Sequence, residues 1–235
     1  MYLYYILGII LLPGIIYASI VQNQVNSAFE TYKNLHSARG ITAKEACETV
    51  LSSAGIKNVQ VKAIKGHLTD NYNPTNKTVN LSESVLNSTS ISALGVALHE
   101  VGHAIQHAEG YKPLKIRNAL ITVNNFLSSM MWPLIIAGII LSALSYFSTG
   151  NIFLIVGASV YLLSFFISLI TYPVEKNASK RALNLLVSNN ILDANEVKGA
   201  EVVLTAASKT YLASIIVSIL SFLRFFLAFF VLNRD

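Results

Sequence analysis

Ala97-Leu98-His99-Glu100-Val101-Gly102-His103-Ala104-Ile105-Gln106 is the stretch on which the reading of this chain turns. Its centre is the pattern H-E-x-x-H. On a helix, side chains four residues apart share one face, so His99 and His103 can hold one zinc ion, each nitrogen at about 2.0–2.1 Å. Glu100 sits about 100° round the helix from His99. From there it reaches a water beside the metal rather than the metal itself. Zinc brings the pKa of such a water to about 7, and the glutamate takes its proton as it attacks a carbonyl. Outward from the motif, Ser88 to Ser90 offer N-cap hydroxyls, and Gly110 offers a stop. The spacing predicts a helix over about Ile91–Ala108. Its leading apolar run, Ile91–Leu98, is too short to cross a bilayer, which needs about 20 residues. The motif is therefore expected on a helix of a small globular unit at a membrane surface.

The composition points to that membrane. Of 235 residues, 53% are hydrophobic and 12% charged, where soluble domains carry about 25% charged residues; mean hydropathy is +0.54. Four segments are apolar enough to span: Leu3–Val21, Phe126–Phe147, Ile152–Tyr172 and Tyr211–Leu232. The first lacks a basic lead and a small-residue cleavage site, so it is read as a retained anchor. The net charge of +5 is unevenly placed: 22–119 holds ten Lys/Arg, 173–210 holds five, and the connection Ser148–Asn151 holds none. By the positive-inside tendency both polar stretches are cytoplasmic and both termini outside. The basic charge is thus explained by topology, and no nucleic-acid-binding signature is present. The single Cys47 excludes an intrachain disulfide and is expected to pack within a short helix.

Between the first two spans, Gln22–His36 continues the first helix until Ala38-Arg39-Gly40 breaks it. Thr42-Ala43-Lys44-Glu45 reads as a capping box, opening a helix to Ala54 with its stop at Gly55. Asn58–Ile64 and Thr78–Leu81 alternate as strands do, and the turn formers Asp70–Asn76 between them suggest an antiparallel hairpin. An exposed Thr78–Leu81 edge would take an extended peptide substrate by strand addition.

Two histidines leave a catalytic zinc one protein ligand short. His107 continues the stripe but lies about 6 Å further along the axis, and no further histidine follows it. A carboxylate from a second helix is the remaining option, with Glu175 the best placed: it follows Tyr172-Pro173, where proline suits a helix start, and falls on the same predicted membrane side as His99.

Several spaced motifs, in order, carry a resemblance. His67-Leu68-Thr69-Asp70-Asn71-Tyr72-Asn73-Pro74, Val79-Asn80-Leu81-Ser82, the stretch Ala97–Gln106, Gly110-Tyr111-Lys112-Pro113-Leu114 and Pro173-Val174-Glu175-Lys176-Asn177-Ala178-Ser179-Lys180-Arg181-Ala182 resemble the YugP-like neutral zinc metallopeptidases, a family of bacterial and archaeal membrane enzymes. The resemblance implies one zinc ion on His99, His103 and Glu175, with Glu100 as catalytic base, and a kinship with multi-span CAAX prenyl proteases. It departs at Asn73, where aspartate is common, at Lys176, which replaces an aromatic, and at Lys209, within a usually small, apolar run. These positions bear on substrate preference.

The expected architecture is mainly α: one membrane-embedded domain over residues 1–235, with four spans and a small zincin-like α+β unit (a β-hairpin and the H-E-x-x-H helix) built from about 22–120 and 173–210. Ser179 shares a helical face with Glu175 and, with Asn177, is a candidate to orient a ligand histidine. His67, Tyr72, Tyr111 and Tyr172 are candidates to steady an oxyanion. His36 and His107 are expected to be solvated or beside the ligands. Arg224, mid-span, calls for a partner inside the bundle, and Trp132-Pro133 for a kink. The expected activity is peptide-bond hydrolysis without a covalent intermediate, on peptide or membrane-protein substrates at the cell membrane of a bacterium or archaeon. Two rivals stand beside it: an intramembrane site-2-type protease, and a non-catalytic zinc-binding membrane scaffold.

Overall fold

The computed structural model describes residues 8–143 and 147–232; the start of the first expected span and residues 144–146 of the second lie outside them. The chain divides into two compact units. One comprises Gln22–Lys115 with Pro173–Lys209, the other the residues to Val21, Ile116–Tyr172 and those from Thr210.

The first of these units holds the polar part of the chain. Helix α1 (Leu12–Lys33) runs into it without interruption. In α2 (Ala43–Ser53), Thr42 and Glu45 form the reciprocal capping box, and Gly55 (φ +71°) ends the helix. Three strands follow: β1 (Gln60–Ile64), β2 (Asn71–Asn73) and β3 (Thr78–Ser82). A single turn, α3 (Glu83–Leu86), leads to α4 (Ile91–Ala108), whose N-cap Ser90 accepts from Ala93 N–H. Gly110 follows with φ +68°. The core joins Phe29, Val50, Leu51, Leu81, Leu94 and Leu98 with Leu186 and Ile191. Cys47 is buried in α2, its thiol 3.6 Å from the Ala97 carbonyl of α4.

The sheet corrects the expected antiparallel hairpin. Its order is β1-β3-β2, with β1 parallel and β2 antiparallel to β3. The tight turn belongs to β2 and β3: Asn73 Oδ1 accepts from Thr75 N–H (2.9 Å) and Asn76 N–H (3.4 Å), a side-chain mimic of a backbone turn. That places β2 beside β3 on one side and leaves β1 the other. With both neighbours in place, Thr78–Leu81 has no free edge for a peptide; the sheet edges belong to β1 and β2.

The other unit is built from long helices. Helix α5 (Lys112–Ala143) continues through Pro133, and α6 (Phe147–Ser188) through Pro173. Pro173 is therefore not the helix start that sequence spacing suggests. Proline removes one i→i−4 bond, a local loss within a ladder of 42 residues. Helix α7 (Glu196–Leu232) passes Arg224 unbroken, and that guanidinium lies 5.9 Å from the Phe225 ring. Asn124 of α5 accepts from the Ser164 hydroxyl of α6 at 2.8 Å, and Tyr161 stacks on Phe225. Among the described residues, Ile155–Ser188 and Glu196–Leu227 contain windows long and apolar enough to cross a membrane, and only 22% and 17% of those windows is buried. Core helices of a globular protein would hide such a surface; here Phe166, Leu169, Leu223 and Phe226 are exposed. Helix α4 is not among these candidates.

Candidate metal centre

Helix α4 presents His99 and His103 one turn apart, their rings edge to face with centroids 4.8 Å apart. Helix α6 brings Glu175 against them. One carboxylate oxygen, Oε2, lies 3.1 Å from His99 Nε2 and 3.2 Å from His103 Nε2. The approach depends on small residues. A Cβ on Gly102 would stand 2.7 Å from the Ala178 carbonyl oxygen of α6, so the second variable position of the motif has to be glycine for the helices to meet. Ala178 and Ala182 are fully buried on the facing helix.

The donor set suits zinc. Bonds of 2.0–2.1 Å in a tetrahedron put neighbouring ligand atoms about 3.3–3.4 Å apart. The two histidine–glutamate separations are close to that edge, and all three ligand atoms lie within 4.8 Å of one another. Glu175 is 2% exposed. Burial pushes its carboxyl up, but the hydrogen bonds and charges of the two imidazoles outweigh it and hold the group well below the usual carboxylate range. For His103, burial pulls down while Glu175 pulls up, and the glutamate wins. A buried anion between two imidazoles is satisfied by positive charge at that spot, which a divalent cation supplies in place of protons.

Glu100 is buried beside this group, and its Oε2 accepts the Tyr72 backbone N–H at 2.8 Å. That N–H points to α4 rather than to β3, so the unpaired side of β2 borders the carboxylate. The Tyr72 hydroxyl is 2.7 Å from His107 Nδ1, and burial raises its pKa. Ser179 Oγ lies 3.1 Å from His99 Nδ1. Asn177 reaches His103 only through Gln106, whose Oε1 is 3.0 Å from His103 Nδ1. His67 contacts Ser84 and the Phe29 ring instead, His36 faces Thr89, Tyr111 caps the end of α4 through its backbone, and Tyr172 sits on α6. Sequence reasoning missed Gln106 as a partner of His103, although three residues along a helix is within reach. It also missed the Tyr72 main chain and the pairing of Arg181 with Glu109, which no local pattern announces.

Geometry and sequence meet in one class: the chain belongs to the family described as "Putative neutral zinc metallopeptidase", whose profile matches residues 7–230. It is similar to a Bacillus subtilis (strain 168) protein named "Putative membrane protease YugP", 40% identical over 208 residues, covering 88% of this chain and 89% of that one. No solved structure matches it.

Proposed function

We propose that this chain is a membrane-bound, zinc-dependent endopeptidase, with one zinc ion held by His99, His103 and Glu175. The observation that carries the reading is the convergence of two Nε2 atoms on one buried Glu175 oxygen, with a second carboxylate, Glu100, at their side. Bound there, zinc supplies Lewis-acid chemistry for amide hydrolysis. Glu100 takes the proton of the attacking water and delivers it to the leaving amine, so no acyl-enzyme forms. The Tyr72 N–H holds Glu100 in place, while Ser179 and Gln106 orient the two imidazoles. An extended substrate lies along the open side of β2, which borders Glu100, rather than along β3.

The apolar windows of α6 and α7 and the name of the relative, a membrane protease, support a membrane location. We place four crossings at about 3–21, 126–147, 152–172 and 211–232. The catalytic parts face the cytoplasm of a bacterial or archaeal cell, as the Lys/Arg distribution favours. Substrates are then unfolded peptides or segments of membrane proteins.

The test is Glu100→Gln in the purified full chain. Zinc stays bound at one ion per chain, and hydrolysis of unfolded casein falls by about 10²–10⁴-fold. Undiminished hydrolysis by the variant would refute the assignment of the base. A wild type that binds zinc yet cleaves neither unfolded nor membrane substrates would favour the scaffold.

A further inference from the structure

We propose that a chain of hydrogen bonds from Arg181 through Asn177 and Gln106 keeps a hydrogen on His103 Nδ1, so that Nε2 is the atom this ring turns to the metal. This rests on the zinc reading of the same site and makes Gln106 and Asn177 positioning residues.

The direction of each bond follows from the one outside it. The Arg181 guanidinium only donates. Glu109 grips it on one edge, with Nη1 and Nη2 at 2.9 and 2.7 Å from the two carboxylate oxygens. Its Nε donates to Asn177 at 2.8 Å, which requires the amide oxygen of Asn177 to face it. That same oxygen has Gln106 at 2.9 Å, so Gln106 must turn its NH₂ there. The Val174 carbonyl demands the same independently: it only accepts, and it lies 3.0 Å from the same nitrogen. A flipped Gln106 amide would set its oxygen against two acceptors in a fully buried place, where an unmet or repelled polar group costs about 1–3 kcal/mol. The oxygen of Gln106 is therefore the atom 3.0 Å from His103 Nδ1. An amide oxygen only accepts, so Nδ1 carries the hydrogen. Nε2 is left to face Glu175 Oε2 at 3.2 Å, where a proton or a metal ion joins the two.

His99 is treated differently. Its Nδ1 meets the Ser179 hydroxyl at 3.1 Å, and a hydroxyl donates or accepts as required. The two ligands are thus unequal: His103 is set by the protein, His99 by whatever it binds.

Two readouts on the full chain test this. The first needs no variant: ¹⁵N NMR of histidine-labelled, zinc-stripped wild type shows His103 Nδ1 carrying a hydrogen. A bare Nδ1 at His103 would overturn the proposal. The second is zinc affinity by competition with a chromophoric chelator. Gln106→Met keeps the volume but removes the acceptor, and weakens zinc about 10- to 100-fold. Asn177→Asp keeps an acceptor for both donors, and stays within about threefold of wild type. A packing role alone would leave Gln106→Met unchanged, and that result would refute the chain. A wild type with no affinity for zinc would instead sink the zinc reading, and the proposal with it. Wild-type zinc binding with an unaffected Gln106→Met variant removes only the proposal.

Discussion

Asp70 ties the approach to β2 to the end of β3. Its carboxylate accepts the Ser82 N–H at 2.7 Å and the Ser82 hydroxyl at 3.2 and 3.0 Å, and two residues later Tyr72 turns its own N–H to Glu100. Burial raises the Asp70 pKa, and the Ser82 bonds offset only part of the rise. An acid whose folded pKa lies above its unfolded value of about 3.9 lowers stability when ionised. That penalty is complete above the folded pKa and fades as pH falls toward the unfolded one, because the folded state takes up its proton first. Asp70→Asn keeps an acceptor without the charge. The variant should be at least as stable as wild type at pH 7, with wild type gaining on it as pH drops to about 4 in paired thermal melts. A gap independent of pH would contradict this. Single residues were legible in the sequence where chemistry is local: Thr42 and Glu45 cap α2, and Ser90 caps α4, because a cap needs only its own first turn. Gln106 was not, since its meaning depends on Val174 and Asn177 from a distant helix.

Between elements, the decisive contact is α4 on α6. Gly102 admits the Ala178 carbonyl where a methyl group would stand 2.7 Å from it, and main chain does not yield as a flexible side chain does. Gly102→Ala should therefore cost about 1–3 kcal/mol of stability, read from denaturant midpoints. It should also weaken zinc binding, because Glu175 retreats with its helix. Unchanged stability with unchanged zinc affinity would mean that the helices do not pack this closely. Helix limits were readable because capping hydroxyls and stop glycines are sequence features: Ile91–Ala108 follows from Ser90 and Gly110 alone. Strand partners were not. The alternation in β1 and β3 states which side chains are buried but not which neighbour pairs with which. The Asx turn at Asn73 and the short β2 decide that, and three residues of turn-forming composition do not announce a strand. Pro173 misled for a related reason, since local propensity favours a helix start and the long helix overrides it.

At the scale of the whole molecule, the proposed metal site draws two histidines from α4 and a carboxylate from α6, 72 residues beyond His103. Helical spacing made the pair legible. The choice of Glu175 rested on proximity to a predicted crossing and on family resemblance, because no local pattern joins two helices so far apart. The same distance makes the account exposed to one direct measurement: anomalous diffraction at the zinc edge from crystals of the full chain. The account predicts one strong peak per chain, about 2.0–2.2 Å from His99 Nε2, His103 Nε2 and a Glu175 oxygen. A peak elsewhere, or none in protein supplied with zinc, would contradict it.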